Sequence, residues 1–289
     1  MRSIFYFSGT GNTRLLAERL AARLTEASGQ DHSPVNIEKF SEPLTGRQAL
    51  KTISGTIILL YPVYAFDAPE IVYEFIDLFE EGADLEFILI KVGCDTIGLN
   101  GAASHFLKKK IQKRGISVVH EQIFAMPSNF LLSYPDTLNM QLVNASLIHV
   151  DNLAKNIVSA TYKLDKATLA AKFLTLSFRI ERTGARWFGR SLNAGDACTL
   201  CGTCVKSCPR RNIRIENGEV KFGSDCMFCM RCIYGCPEGA IRSKGMQFAI
   251  VKEGYDVNSI AERRSENQKF ITEHTKGFYA HLKPYVDVI

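Results

Sequence analysis

Two cysteine runs in the C-terminal half constrain this 289-residue chain more than any other feature. The first run ends in Cys208-Pro209, and the second, displaced by 28 residues at every cysteine, ends in Cys236-Pro237. Both fit C-x₂-C-x₂-C-x₃-C-P, the spacing with which thiolates enclose a 4Fe–4S cube. The constant displacement makes the pair an internal repeat. The candidate ligands are Cys198, Cys201, Cys204, Cys208, Cys226, Cys229, Cys232 and Cys236.

The cysteine before each proline indicates how the ligands divide between two clusters. Three cysteines spaced by two residues can surround one face of a cube, whereas the fourth turns away and reaches the other cluster. Over roughly residues 190–245 the sequence resembles the bacterial two-cluster ferredoxins. We therefore expect one cluster on Cys198, Cys201, Cys204 and Cys236, and the second on Cys226, Cys229, Cys232 and Cys208.

A zinc ribbon and a disulfide framework are the alternative interpretations of these cysteines. Zinc ribbons use four ligands in paired C-x₂-C motifs, often with histidine, but each run here has a third cysteine in phase and no histidine lies between the runs. Disulfides need an oxidising compartment, and the N-terminus lacks the apolar core of a signal peptide. No apolar run of about 18 residues is present either. We expect a cytoplasmic protein without a membrane span.

A loop rich in hydroxyl groups and glycine follows the first apolar segment of the chain. It lies between a strand-like run at 3–7 and a helical pattern that begins near Leu15. Phosphate binds well at such a place, because free N–H groups and the positive end of the helix dipole converge there. The Walker pattern G-x₄-G-K-[ST] and the pattern G-x-G-x-x-G are both absent. The candidate phosphate-binding residues are Ser8, Gly9, Thr10, Gly11, Asn12 and Thr13.

This loop resembles the FMN phosphate loop of the flavodoxins, and the segments after it alternate as in that family. Alternating strands and helices imply an α/β fold with a doubly wound parallel sheet. The resemblance implies the strand order 2-1-3-4-5, with FMN at the carboxyl ends of the strands. The expected strands are 3–7, 35–40, 56–61, 85–93 and 116–124, with helices over 70–81 and 102–114.

The loops after the third and fourth expected strands are the candidates for holding the isoalloxazine ring. Tyr64 is the candidate for stacking on the ring, although an ordinary buried loop aromatic is the alternative interpretation. Cys94 is left out, since a lone cysteine is usually a small buried apolar residue. The candidates on the two sides are Pro62, Val63, Tyr64, Ala65 and Phe66, and Gly93, Asp95, Gly98, Asn100 and Gly101.

The net charge bears on the choice of partners. The formal charge of +5 counts every cysteine as neutral. Two oxidised clusters of about −2 each and a flavin phosphate of up to about −2 would lower the total to about −1. A weakly basic apoprotein therefore fits an anionic cofactor load, and nucleic-acid binding is not expected.

The remaining segments leave several interpretations open. Helical patterns at 136–163 and 165–182 indicate either a clamp between two modules or the last flavodoxin helix with a packed extension. The arginines and the tryptophan of 179–187 suit either a docking surface for an acidic redox partner or a solvated helix end. An Asn-Gly pair predicts a hairpin within 213–222. The tail, 245–289, is expected to pack on the surface as a helix.

As a whole, the chain is similar to the EFR1-family ferredoxins, in which a flavodoxin-like domain is fused to a small α+β ferredoxin domain with two 4Fe–4S clusters. The similarity implies electron transport with FMN, two clusters and redox partner proteins. An FMN-dependent reductase of a quinone or nitro-compound is the alternative, and no catalytic acid, base or nucleophile is evident. The expected division is 1–163 (FMN domain), 164–190 (connector), 191–244 (ferredoxin domain) and 245–289 (extension).

Overall fold

The computed structural model of the protein describes residues 1–95, 100–165, 168–178, 181–263 and 269–288. Five strands form a parallel sheet in the order β2-β1-β3-β4-β5. This order confirms the flavodoxin-like, doubly wound architecture. The strands are β1 Arg2–Tyr6, β2 Val35–Asn36, β3 Gly55–Pro62, β4 Leu85–Gly93 and β5 Ser117–Ala125.

Helices cover both faces of the sheet, which explains why its central strands are apolar on both sides. In β3, Ile57 faces one hydrophobic core and Ile58 faces the other. The helices of this part are α1 Asn12–Ser28, α2 Pro43–Leu50, α3 Glu70–Ile76, α4 His105–Lys113 and α5 Asp136–Val158, with 3₁₀ turns at Ile37–Phe40 and Asn100–Ala102.

The second strand is much shorter than predicted. It ends at Asn36 because the side chain of Asn36 accepts a hydrogen bond from the backbone N–H of Glu38 at 3.1 Å, a local bond that competes with strand pairing. The alternating residues that suggested a strand over 35–40 form a 3₁₀ turn instead. The helices predicted over 70–81 and 102–114 are also shorter, ending at Ile76 and beginning at His105.

Helix α5 packs on the sheet and does not form a clamp between the two modules. It packs against α1 and β5, and its Asp151 accepts hydrogen bonds from both Arg19 and Arg23 of α1. This supports the interpretation of α5 as the last flavodoxin helix. The region predicted as one helix over 165–182 contains α6 Leu169–Phe178, and α7 Glu181–Ser191 begins at its end. Residues 166, 167, 179 and 180 lie outside the described residues.

The cysteine-rich module is small and has little regular structure. The predicted Asn-Gly hairpin is confirmed, with Asn217 and Gly218 at φ 51° and 75° between two paired strands. Phe188 of α7 is buried in this module's core. Its elements are β6 Leu192–Ala194, α8 Thr203–Ser207, β7 Ile213–Glu216, β8 Glu219–Phe222, α9 Arg231–Tyr234 and β9 Ile241–Ser243.

The tail differs from the surface helix that was predicted. In its described residues it contains two short helices, α10 Val257–Glu262 and α11 Lys283–Val286, and two 3₁₀ turns, Gln247–Ala249 and Gly277–Leu282. Val257 is buried against the α1 side of the sheet, and Tyr285 is buried against the outer face of α5. The reason is that α5 carries apolar residues on its outer face, which the tail removes from water. The tail therefore belongs to the core of the flavodoxin-like part.

Candidate cofactor sites

A cavity of about 660 Å³ opens at the carboxyl edge of the sheet, and we call it the sheet-edge cavity. Loops that follow β1, β3 and β4 form one side of its wall. Gly11 and Gly101 lie outside the wall, and Gly98 lies outside the described residues. The predicted residues that the structure brings together around the cavity are Ser8, Gly9, Thr10, Asn12, Thr13, Pro62, Val63, Tyr64, Ala65, Phe66, Gly93, Asp95 and Asn100.

The loop after β1 ends in a helix start that suits a phosphate. Gly11 is the N-cap of α1 at φ 106°, a conformation that favours glycine. Thr13 lines the cavity and is 1% exposed, yet its Oγ1 has no hydrogen-bond partner among the described residues. A buried hydroxyl without a partner is costly, and a phosphate oxygen would satisfy it. The wall contains no Lys or Arg in the described part, so backbone N–H groups and hydroxyls would supply the donors.

A tight reverse turn holds the loop after β3. The backbones of Tyr64 and Asp67 exchange two hydrogen bonds of 3.0 Å, and Ala65 and Phe66 between them have φ 43° and 62°. These conformations are uncommon outside glycine and persist only where the surroundings fix them. The Asp67 carboxylate accepts hydrogen bonds from the Ala68 N–H at 2.8 Å and the Tyr73 hydroxyl at 2.5 Å. The turn is thus preorganised at the cavity.

The loop after β4 places Cys94 in the cavity wall, although the sequence analysis left it out. Tyr134 donates a hydrogen bond to the Cys94 carbonyl at 3.1 Å, and the Asn100 amide donates to the Asp95 carboxylate at 2.8 Å. Burial raises the pKa of the Cys94 thiol to about 11. The thiol is therefore neutral at ordinary pH and contributes apolar surface to the cavity.

The rest of the cavity wall comes from residues that were not predicted from the sequence. The loop after β5 is one source, and its position directly behind a strand of the same sheet was the available signal. Trp187, considered above as part of a docking surface or a solvated helix end, lines the cavity and is 53% exposed. The missed residues are Val92, Pro127, Ser128, Asn129, Phe130, Leu131, Leu132, Gly184, Phe228 and Met246.

The eight cysteines of the two runs form two groups, and none of them is in a disulfide. Each group lines its own small cavity, and the division is the one expected from the spacing. We call the two groups the outer and the inner cysteine group. The outer cysteine group is Cys198, Cys201, Cys204 and Cys236, and the inner cysteine group is Cys208, Cys226, Cys229 and Cys232.

The backbone around each group fits a multi-iron cluster. Leu200 and Phe228, which are 28 residues apart, both have left-handed backbones, with φ 56° and 57°. This curls both runs in the same way around their cavities. Backbone N–H groups point at the cysteine before each proline, Asn212 N–H at the Cys208 sulfur and Ala240 N–H at the Cys236 sulfur, at 3.4 and 3.3 Å. Such bonds stabilise cluster thiolates.

Single-metal geometry is not seen among these side chains. In the described ranges no three His, Cys, Asp or Glu residues converge closely enough to hold one metal ion.

The two groups differ in their surroundings. Cys201 of the outer group is exposed, and hydrogen bonds from Thr203 lower the pKa of its thiol. Cys229 of the inner group is buried in the hydrophobic core that it shares with the sheet, and burial raises its pKa to about 12. The inner group therefore lies against the flavodoxin-like part, and the outer group reaches the surface at Cys201.

Gly9 marks the point at which the two parts meet. A Cβ atom placed on Gly9 would lie 2.4 Å from the Cys229 carbonyl oxygen and 2.5 Å from the Tyr64 hydroxyl oxygen. Both distances are too short for any side chain, so only glycine permits this approach. The candidate phosphate loop, the candidate stacking residue and a cysteine of the inner group thus share one contact.

Known proteins resemble the two parts separately. The family described as a 4Fe-4S dicluster domain matches residues 191–237. An apo NADH:FMN oxidoreductase (EMOB) is 17% identical over 53% of this chain and 88% of its own, with a TM-score of 0.37. A flavodoxin from the domain Archaea is 14% identical over 55% and 98%, with a TM-score of 0.35. An azoreductase from Bacillus anthracis str. Sterne is 10% identical over 54% and 99%, with a TM-score of 0.39.

No curated protein matches the chain significantly. The chain is a flavodoxin-like sheet, identified by its strand order, fused to a 4Fe–4S dicluster domain. None of the helices in the described residues combines the length and apolar character needed to cross a bilayer.

Proposed function

We propose that this chain is an electron-transfer protein that passes electrons between two 4Fe–4S clusters and one FMN, as its similarity to the EFR1-family ferredoxins implies. The observation that carries the proposal is the contact at Gly9, where a loop of the sheet-edge cavity touches both Tyr64 and Cys229. Rates of electron transfer fall steeply with distance, so such a contact is what a redox pair requires. The division into 1–163, 164–190, 191–244 and 245–289 is part of this proposal, with 245–289 as an extension whose residues pack into the cores of the first domain.

Each group of residues has a distinct role in the proposal. When bound, FMN exchanges one or two electrons and a 4Fe–4S cluster exchanges one. Ser8 to Thr13 would hold the phosphate, and Tyr64 would pack on the ring. The inner cysteine group, next to Tyr64, would hold the cluster nearer the flavin. The outer cysteine group, with Cys201 exposed, would hold the cluster that faces a redox partner protein.

An anaerobic preparation tests the proposal directly. We expect about eight iron, about eight sulfide and one FMN per chain, from two four-iron clusters and one phosphate loop. Rapid mixing with a one-electron reductant is expected to reduce the clusters first and the flavin afterwards within the same molecule, independently of protein concentration. A preparation without flavin, or flavin reduction that depends on protein concentration, would refute an intramolecular carrier.

A reductase of small molecules is a second candidate, and the mouth of the cavity favours it. Leu131, Leu132 and Trp187 line the cavity and are exposed, so the mouth is apolar where a planar quinone or nitro-compound would enter. Steady-state turnover of a naphthoquinone by the chemically reduced protein separates the two candidates. Many turnovers with saturation support the reductase, whereas a slow reaction that increases linearly with quinone supports the carrier.

A further inference from the structure

Arg231 connects the inner cysteine group to the candidate phosphate loop. It lies between Cys229 and Cys232 in the sequence, and its guanidinium reaches across to the sheet. It donates hydrogen bonds to the Ser8 carbonyl at 2.5 Å and the Gly9 carbonyl at 3.2 Å. It also donates to the Ser207 carbonyl at 3.0 Å and to the two Glu38 carboxylate oxygens at 2.6 and 2.8 Å.

These bonds orient the donors of the loop. In a trans peptide the C=O of one residue and the N–H of the next point in opposite directions, and the described chain has no cis peptide. Holding the Ser8 and Gly9 carbonyls towards Arg231 therefore directs the N–H groups of Gly9 and Thr10 away from it. Arg231 lines a separate cavity of about 530 Å³, which shares Ser8, Gly9 and Thr10 with the sheet-edge cavity.

We expect Arg231 to affect phosphate binding by orienting the N–H groups of the loop rather than through its own charge. Its guanidinium forms a two-pronged ion pair with Glu38, and both side chains are largely buried. The positive charge is therefore balanced before any phosphate arrives. The five N–H donors of the Arg231 guanidinium serve both Glu38 oxygens and three carbonyls, whereas an ammonium group has only three donors.

We propose that Arg231 is a positioning residue that couples occupancy of the inner cysteine group to the affinity for the FMN phosphate. The inference rests on the function proposed above. Cysteines on either side of Arg231 would be fixed when they hold a cluster, and this fixes the backbone from which the arginine reaches Ser8 and Gly9. Since coupling between two binding sites is reciprocal, bound FMN would also retain the cluster.

Flavin titration of the cluster-loaded, flavin-free chain tests the coupling. We expect Arg231→Gln to weaken FMN binding at least tenfold and riboflavin binding less than twofold, because riboflavin lacks the phosphate. Arg231→Lys should fall between Arg231→Gln and the wild type for FMN. Arg211→Gln is the matched control. Arg211 also joins the two parts, but through an ion pair with Glu42 and not through the candidate phosphate loop. It should bind both flavins as the wild type does.

The same titration after anaerobic iron removal provides the second measurement. Wild-type affinity for FMN should fall towards that of Arg231→Gln, whereas the affinity of Arg231→Gln should barely change. Equal loss of FMN and riboflavin affinity in Arg231→Gln, or unchanged FMN affinity, overturns the coupling while leaving the electron-transfer proposal intact. A wild-type protein that binds no FMN overturns both. Iron content and thermal midpoint identify a misfolded variant, for which Arg231→Lys replaces Arg231→Gln.

Discussion

The ring of Phe228 packs against the ring of Phe130 with their centroids 5.1 Å apart. Phe228 lies between two cysteines of the inner group, and Phe130 lies in the loop after β5, so this contact joins the two parts of the chain. Both residues line the sheet-edge cavity. The cavity is therefore complete only when the cysteine-rich module is docked on the sheet.

Phe228→Ala is expected to make the inner cluster labile. Phe228 is buried, and its removal leaves a void that costs about 3 kcal/mol of packing. Iron release to a chelator, followed by the loss of visible absorbance, should be at least tenfold faster. Leu200→Ala is the matched control, because Leu200 occupies the equivalent position of the outer run but is exposed. A similar effect of both substitutions would contradict the packing role of Phe228.

Thr13→Val is expected to have opposite effects on the apoprotein and on flavin binding. Removing a buried hydroxyl that lacks a partner should stabilise the flavin-free chain by up to about 1 kcal/mol. The same change should weaken FMN binding about tenfold or more, since a hydrogen bond to a charged group is worth about 1.5–3 kcal/mol. Thermal unfolding and flavin titration measure the two effects. Lower apoprotein stability together with unchanged FMN affinity would show that Thr13 has no ligand.

Gly9→Ala is expected to separate the phosphate loop from the inner cysteine group. The added methyl group cannot fit beside the Cys229 carbonyl and the Tyr64 hydroxyl, so the backbone must move. Electron exchange between cluster and flavin should slow by at least tenfold in rapid-mixing experiments. Gly195→Ala is the control, because its added atom would meet only the Ala240 carbonyl, at an ordinary 3.5 Å. Wild-type rates in Gly9→Ala would show that the contact is not on the electron path.

Cys94 is expected to react slowly with alkylating agents at neutral pH. Its pKa in the folded chain is about 11, against an ordinary value of 9.0. Burial thus favours the protonated form, and this contribution to stability is present below pH 9 and is lost as the pH rises from 9 towards 11. Alkylation followed by mass spectrometry should accelerate over that range and should slow when FMN fills the cavity. Rapid, stoichiometric labelling of Cys94 at pH 7 would contradict its raised pKa.

Asp165→Asn is expected to destabilise the protein more than Lys91→Met does. The Lys91 side chain is fully buried in β4, and its ammonium donates to Asp165 at 2.8 Å and to the Gly101 carbonyl at 3.1 Å. Removing the carboxylate leaves a buried charge without its counterion, whereas methionine replaces the lysine with apolar volume. Thermal midpoints of the two variants make the comparison. If Lys91→Met lowered the thermal midpoint more than Asp165→Asn did, the unpaired charge of Lys91 would not be the main cause of destabilisation.

Local patterns predicted the parts of this molecule whose determinants lie close together in the sequence. The four main strands followed from apolar runs, and the division of the cysteines followed from a spacing that the structure brings into two cavities. The hairpin followed from Asn217 and Gly218. In each case the residues that decide the outcome lie within about ten positions or recur at a fixed interval.

The features that could not be predicted depend on contacts between distant segments. Phe130, Trp187 and Met246 belong to three separate regions, and no local pattern signals that they share one cavity. The tail was predicted to be a surface helix, because its sequence does not show that it covers the outer face of α5. The second strand is short because the Asn36 side chain accepts from the Glu38 N–H and donates to the Glu38 carboxylate, which an alternating pattern does not reveal.

The path of the tail shows how the cysteine-rich module is joined to the flavodoxin-like part. The chain leaves the sheet through α7, forms the cysteine-rich module, and then returns to place Val257 and Tyr285 in the cores beside α1 and α5. The module is therefore an insertion held at both ends, rather than a domain attached by a single linker. A doubly anchored insert cannot swing out to shuttle between positions, so the redox partners that we propose would have to bind it where it is docked.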